Sequence, residues 1–151
     1  MSNVLLDANL LIAALDQNGT TSELLRQSAT AKLTTYLENP DIRLVITPLI
    51  RYEVLRGLSW QDAEGYNNLK QVLDGFTEID INRNVSELAA NLFRFDRTTN
   101  AGAQRNVEKR KFDVFHLACA KIHGLDLASQ DTDIASLQSL FDSYQQAGGL
   151  A

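Results

Sequence analysis

The sequence of 151 residues holds one cysteine, two prolines and two histidines. A lone Cys119 excludes an internal disulfide framework, which fits a reducing compartment, and the expected location is the cytoplasm. Its setting, "FHLACAKI", is apolar, so a buried structural thiol is expected there rather than a nucleophile. His116 and His123 are the only imidazoles, and no cysteine set accompanies them, so a zinc site lacks its usual ligands. They lie seven residues apart, where a core or capping role is expected. No apolar run reaches the roughly 20 residues that a membrane-spanning helix needs. The N-terminus carries neither the basic residues nor the cleavage site of a secretion signal. Basic residues are outnumbered too, 14 Lys and Arg against 19 Asp and Glu, for a net charge of −5. That weighs against a broad basic face for nucleic acid. Positive charge nevertheless gathers in "RFDRTTNAGAQRNVEKRKFD", at Arg94, Arg97, Arg105, Lys109, Arg110 and Lys111.

What is present is an alternation of short apolar strands and helical patterns. "NVLL" (3–6) shows no polar alternation, as expected of a strand covered on both faces. "IRLVI" (42–46), "FTEIDI" (76–81) and "LDLAS" (125–129) are the other strand candidates. Thr20 stands three residues before Glu23, a capping-box arrangement for the helix that Pro40 ends. Thr47 and Pro48 read as an N-cap and first-turn pair for "LIRYEVLR". "WQDAEGYNNLKQVLDG" reads as an amphipathic helix, with Trp60 and Tyr66 in its core or at a dimer surface. Asn82 is placed to cap "VSELAANLFRFDR", and Gly124 to end the helix of "EKRKFDVFHLACAKIHG". "TDIASLQSLFDSY" is helical after that, with a frayed tail expected from about 142 to 151. The length suits a single domain, 1–151, with a sizeable core. Strands alternating with helices predict an α/β sandwich with a parallel sheet and right-handed crossovers.

In such sheets ligands sit at the carboxyl ends of the strands. Asp7 directly follows the first strand candidate among apolar neighbours. Glu53 lies on the helix after the second, Asp113 near the start of the helix before the last, and Asp131 and Asp133 just after that last strand. Each has a plain structural alternative. Asp7 would cap the next helix. Glu53 would pair with Arg51 or Arg56, and Asp113 with Lys109 or Lys111. Asp131 and Asp133 would favour a helix N-terminus. Convergence on one sheet edge argues for more. Clustered carboxylates repel unless a cation balances them, and Mg²⁺ prefers oxygen ligands. Such ions promote phosphodiester hydrolysis without a His or Ser nucleophile.

"LLDANLLI", "RYEVLRG", "FDVFHLACA" and "LASQDTDI" together resemble the four acidic motifs of the PIN domain, especially the VapC-type toxins of bacterial toxin–antitoxin pairs. The resemblance spans nearly the whole chain in motif order and spacing. It implies a three-layer α/β/α fold with a central, mainly parallel sheet of four or five strands. It implies an endoribonuclease dependent on Mg²⁺ or Mn²⁺, with Asp7, Glu53, Asp113 and Asp131 as the metal-binding acids and Asp133 in reserve. Asn9 and Ser129 match the supporting polar positions. Arg105, Lys109, Arg110 and Lys111 would hold RNA phosphates, or else form solvated helix surface with Glu108. A separately encoded antitoxin and a homodimer are the partners implied, with no membrane. Ala8 stands where the family often has Thr or Ser, and Ile134 where an aromatic is common.

Other classes fit less well. A dehalogenase-type phosphotransferase needs a second aspartate two residues after the first, where this chain has Asn9. A receiver domain needs a lysine after a late strand, which "LASQD" lacks. The competing reading is a PIN-like module that binds RNA or protein without catalysis.

Overall fold

A computed structural model of the chain describes residues 2–15, 21–99, 107–129 and 134–148. Eleven elements occur among them: β1 (Ser2–Leu6), α1 (Ala8–Ala14), α2 (Glu23–Glu38), β2 (Ile42–Ile46), α3 (Pro48–Leu55), α4 (Ala63–Asp74), β3 (Thr77–Glu78), α5 (Arg83–Thr99), α6 (Val107–His123), β4 (Asp126–Ala128) and α7 (Ile134–Gln146). The sheet order is β3-β2-β1-β4. β1 runs parallel to β2, with Val4 opposite Leu44, and β2 runs parallel to β3. The expected α/β class, with its parallel sheet, is what the chain adopts. No helix of the described residues is long and apolar enough to cross a membrane.

The chain divides into two compact units, residues 1–80 with 128–131, and residues 81–127 with 132–151. In the first, β1 begins with two exposed residues and β2 with half-buried Ile42 and exposed Arg43, and both end in three consecutive buried residues, Val4–Leu6 and Leu44–Ile46. Consecutive burial means both faces of these strand ends are covered. Leu5, Leu6, Leu10, Leu11, Ile46 and Ile50 have no exposed surface at all, so the core lies where strands hand over to helices. The handover after β2 follows the expected chemistry. Buried Thr47 accepts a hydrogen bond from Ile50 N at 3.2 Å, and Pro48 opens α3.

In the second unit α5 packs against α6 and α7. Phe95 meets Tyr144 edge to face, with ring centroids 5.8 Å apart. Asn82 caps α5 as expected, accepting from Val85 N at 3.0 Å. Gly124 takes a left-handed φ of 65° at the end of α6, a conformation costly for any residue with a Cβ. Cys119 and His116 are both buried in α6, as expected of core residues.

Several sequence-based boundaries need correction. The cap of α2 is Ser22, which accepts from Leu25 N at 3.3 Å; Thr20 lies outside the described residues. The strand expected over 76–81 shrinks to Thr77 and Glu78, because β2 ends at Ile46, opposite Glu78, and Pro48 then turns the chain into α3. α4 begins only at Ala63, where Asp62 accepts from Gly65 N at 2.9 Å. A side chain at Gly65 would collide with that Asp62 carboxylate, which accounts for a glycine inside the helix. Trp60 therefore precedes the helix and is 94% exposed, so the core role is excluded. α7 continues to Gln146 with Tyr144 buried, so the chain is still helical beyond 142, where fraying was expected.

Thr47→Ala is expected to lower stability by about 1–2 kcal/mol in urea unfolding, with Thr47→Ser close to wild type. Burial pushes the Cys119 thiol from 9.0 up to about 11. The unfolded chain loses this proton near its ordinary value, so above pH 9 it binds fewer protons than the folded chain. Stability then falls as pH rises toward 11. The stability difference between wild type and Cys119→Ala should accordingly change across that window, and unfolding curves at pH 8 and pH 10.5 would show it.

Candidate active site at the carboxyl end of β1

Asp7 is the first residue after β1 and sits at the N-cap of α1, with extended backbone angles of φ −71° and ψ 149°. Its backbone makes the turn. The carbonyl accepts from Leu10 N at 3.2 Å and Leu11 N at 3.4 Å, and the amide donates to Ala128 O at 2.8 Å. The side chain makes no capping hydrogen bond, so the structural alternative offered by the sequence is not what it does. The carboxylate is instead only 5% exposed and accepts from Ser129 Oγ, 3.1 Å from Oδ2.

Ser129 Oγ also lies 2.9 Å from Asn9 Oδ1. A hydroxyl has one proton, so it serves both acceptors only by sharing it. Turning the Asn9 amide would let Asn9 donate to Ser129 while Ser129 donates to Asp7. Either way Asp7, Asn9 and Ser129 form one connected polar group where β1 and β4 end. A fourth residue secures it: Lys32 of α2 donates from Nζ to the Ser129 carbonyl at 3.0 Å.

Glu53 lies half-buried on α3, within the same unit and on a helix that packs against α1. One of the two cations offered for its plain structural reading is engaged elsewhere. Arg51 Nη1 lies 2.9 Å from Asp74 and its Nε 2.8 Å from Glu78. The hydrogen bond that Arg51 donates to Glu78 is the main reason that the Arg51 pKa is raised. Asp113 is buried on α6 of the second unit. Asp131, Asp133 and Arg105 lie outside the described residues.

Arg110 requires a correction. It is 7% exposed and forms a bidentate pair with Asp96, Nε to Oδ2 and Nη2 to Oδ1, both at 3.1 Å. A guanidinium committed this way belongs to the interior and not to a phosphate-binding surface. Of the expected basic stretch, half-buried Lys109 and exposed Lys111 remain at described positions. The signal was present in the sequence. Asp96 continues the apolar series Val85, Leu88, Ala89 and Leu92, and Arg110 shares a helical stripe with Asp113, Val114 and Leu117. Lys32 had no such signal, since its partner is a main-chain carbonyl 97 residues away.

All the acids offer oxygen, the donor that a hard divalent cation prefers, and Asp7 is pre-oriented by Ser129; in donor chemistry they fit such an ion. Among the described residues no group of three or more His, Cys, Asp or Glu side chains is close enough to hold one.

The family model for the PIN domain matches residues 4–140. The chain belongs to the PIN domain family. No curated protein matches this PIN domain. Among solved structures it is similar to VapBC2 from Rickettsia felis, bound to a DNA fragment from its promoter. That likeness has a TM-score of 0.64 at 14% identity and covers 89% of this chain and 92% of the other. It is also similar to Mycobacterium tuberculosis VapC20, described as a sarcin–ricin loop cleaving toxin, with TM-score 0.65 at 9% identity, over 88% and 93% of the two chains. FitAcB from Neisseria gonorrhoeae gives 0.59 at 21% identity, over 85% and 88%. Identities this low speak for the fold alone, and the fold is the three-layer PIN-like one that the acidic motifs implied.

Arg110→Met should cost about 3 kcal/mol or more, because it leaves the buried Asp96 charge without its bidentate cation. The double variant Asp96→Leu/Arg110→Met should recover much of that loss. Chemical denaturation of the three proteins provides the check.

Proposed function

We propose that this PIN domain is a divalent-metal-dependent endoribonuclease, a toxin restrained by a separately encoded antitoxin. The observation that carries the reading is the buried Asp7 carboxylate, which stands at the carboxyl end of β1, is not used as a helix cap and is oriented by Ser129. Burying a carboxylate is costly unless partners or a cation stabilise it. Stability alone gives little reason to keep one at a strand end where α1 already starts on backbone hydrogen bonds.

Asp7, Glu53, Asp113 and Asp131, with Asp133 in reserve, would hold Mg²⁺ or Mn²⁺. When bound, the ion would polarise the phosphodiester and activate water for attack at phosphorus. The protein's own part is orientation and recognition. Ser129 and Asn9 fix the direction of the Asp7 carboxylate, and Lys109, Lys111 and Arg105 hold neighbouring phosphates of the RNA. Hydrolysis would leave a 5′-phosphate and a 3′-hydroxyl. The fold neighbours support a toxin role, because VapC20 is described as a cleaving toxin and another neighbour, from Klebsiella pneumoniae, as a toxin–antitoxin complex. A homodimer acting in the cytoplasm completes the proposal.

The competing reading is a PIN-like module that binds RNA or protein without catalysis. Cleavage of structured and unstructured RNA with Mg²⁺, with Mn²⁺ and with EDTA separates the two. Asp7→Asn and Asp113→Asn should each lower cleavage by more than about 100-fold, beyond the loss typical of a residue that only supports a metal ligand. EDTA should abolish it. Full activity in Asp113→Asn would sink the acid assignment, and failure of either metal to bind would favour the binding module.

A further inference from the structure

We infer that Lys32 is a positioning residue for the Asp7 carboxylate, an inference that rests on the nuclease reading above. β4 ends at Ala128, so the Ser129 carbonyl lies beyond the strand. The ammonium of Lys32 reaches it, 3.0 Å away and part-buried. From the same residue, Ser129 Oγ reaches Asp7 Oδ2 at 3.1 Å and Asn9 Oδ1 at 2.9 Å. One residue is thus held on its main chain by Lys32 and holds the carboxylate with its side chain.

The geometry closes a ring. α1 starts directly after Asp7 and packs against α2, where Ala29 and Leu33 are buried. Lys32 adjoins Leu33 on α2 and returns to Ser129, which returns to Asp7. A long, rotamer-rich side chain gives up conformational freedom to make this contact, and its charge makes the hydrogen bond stronger than a neutral one. Removing the ammonium would take a charge-assisted hydrogen bond from the exit of β4, where Asp7 N to Ala128 O, at 2.8 Å, and the Ser129 hydroxyl also act. The carboxylate would then wander by more than catalysis tolerates, because small displacements of an oriented group cost much of its effect.

Lys32→Met keeps the apolar stem and removes the donor, whereas Lys32→Arg restores a cationic donor. Two measurements on the full chain decide the matter. The first is hydrogen exchange at the Asp7 amide, which reports the β1–β4 junction without metal or RNA. The second is steady-state RNA cleavage in Mn²⁺. In Lys32→Met, exchange at Asp7 should rise about tenfold while α3 amides stay at wild-type rates. The turnover number should fall by on the order of tenfold with KM unchanged. Lys32→Arg should recover both. The proposal is overturned by wild-type exchange at Asp7, by exchange raised equally across α3, by unchanged turnover, or by no recovery in Lys32→Arg. Absence of cleavage by the wild-type protein with either metal would instead bring down the nuclease reading, while the exchange data would still decide whether Lys32 holds the junction.

Discussion

Everything proposed for this protein depends on how one buried carboxylate is held at the end of a strand. Asp7 could have been a helix cap, in which case its side chain would face the backbone amides of α1. The amides of Leu10 and Leu11 turn to the Asp7 carbonyl instead, and the carboxylate accepts from Ser129. Ser129 comes from the opposite end of the sequence, so the pairing exists only once β4 has docked beside β1. The site is therefore a product of sheet assembly. A parallel sheet delivers such chemistry to its carboxyl ends because every strand there hands over to a loop or helix.

In the second unit, α6 has a buried stripe that is not wholly apolar. Arg110 and Asp96 sit on facing helices and neutralise each other within the interior. Such a pair adds little net stability, since desolvation offsets the attraction, but it disfavours any packing of α5 on α6 that would separate the two charges. The same stripe carries Asp113 three residues on. The charge pair sets the register of α6 on α5, because sliding by one turn would bury unpaired charges.

Much of this was legible in the residues. Thr47 with Pro48, Asn82 and Gly124 announced helix boundaries because capping chemistry is local. The apolar runs of β1 and β2 announced strands covered on both faces. The candidate acids were nominated by motif order, and Asn9 and Ser129 as supporting polar positions; that Ser129 reaches across to both Asp7 and Asn9 is something only the structure shows. Boundaries failed where a partner decided them. Nothing within "FTEIDI" reveals that β2 stops opposite Glu78. The helix expected from Trp60 failed because Asp62 is the stronger starter and needs Gly65 behind it. Arg110 was misread because a cluster of basic letters looks like surface until the helical phase of each is counted. Lys32 was invisible for a different reason: a lysine bound to a main-chain carbonyl leaves no complementary residue type to notice.

The exposed position of Trp60 has an optical consequence. It is the only tryptophan of the chain, and with 94% of its surface in water its indole already has the surroundings of an unfolded residue. Tryptophan emission should therefore be a poor reporter of folding here, since denaturation changes little around the ring. The same property makes it a sensitive reporter of contact. Any molecule that covers the short connection between α3 and α4 would move the indole from water into an apolar setting, and the emission would shift to the blue against a dark background.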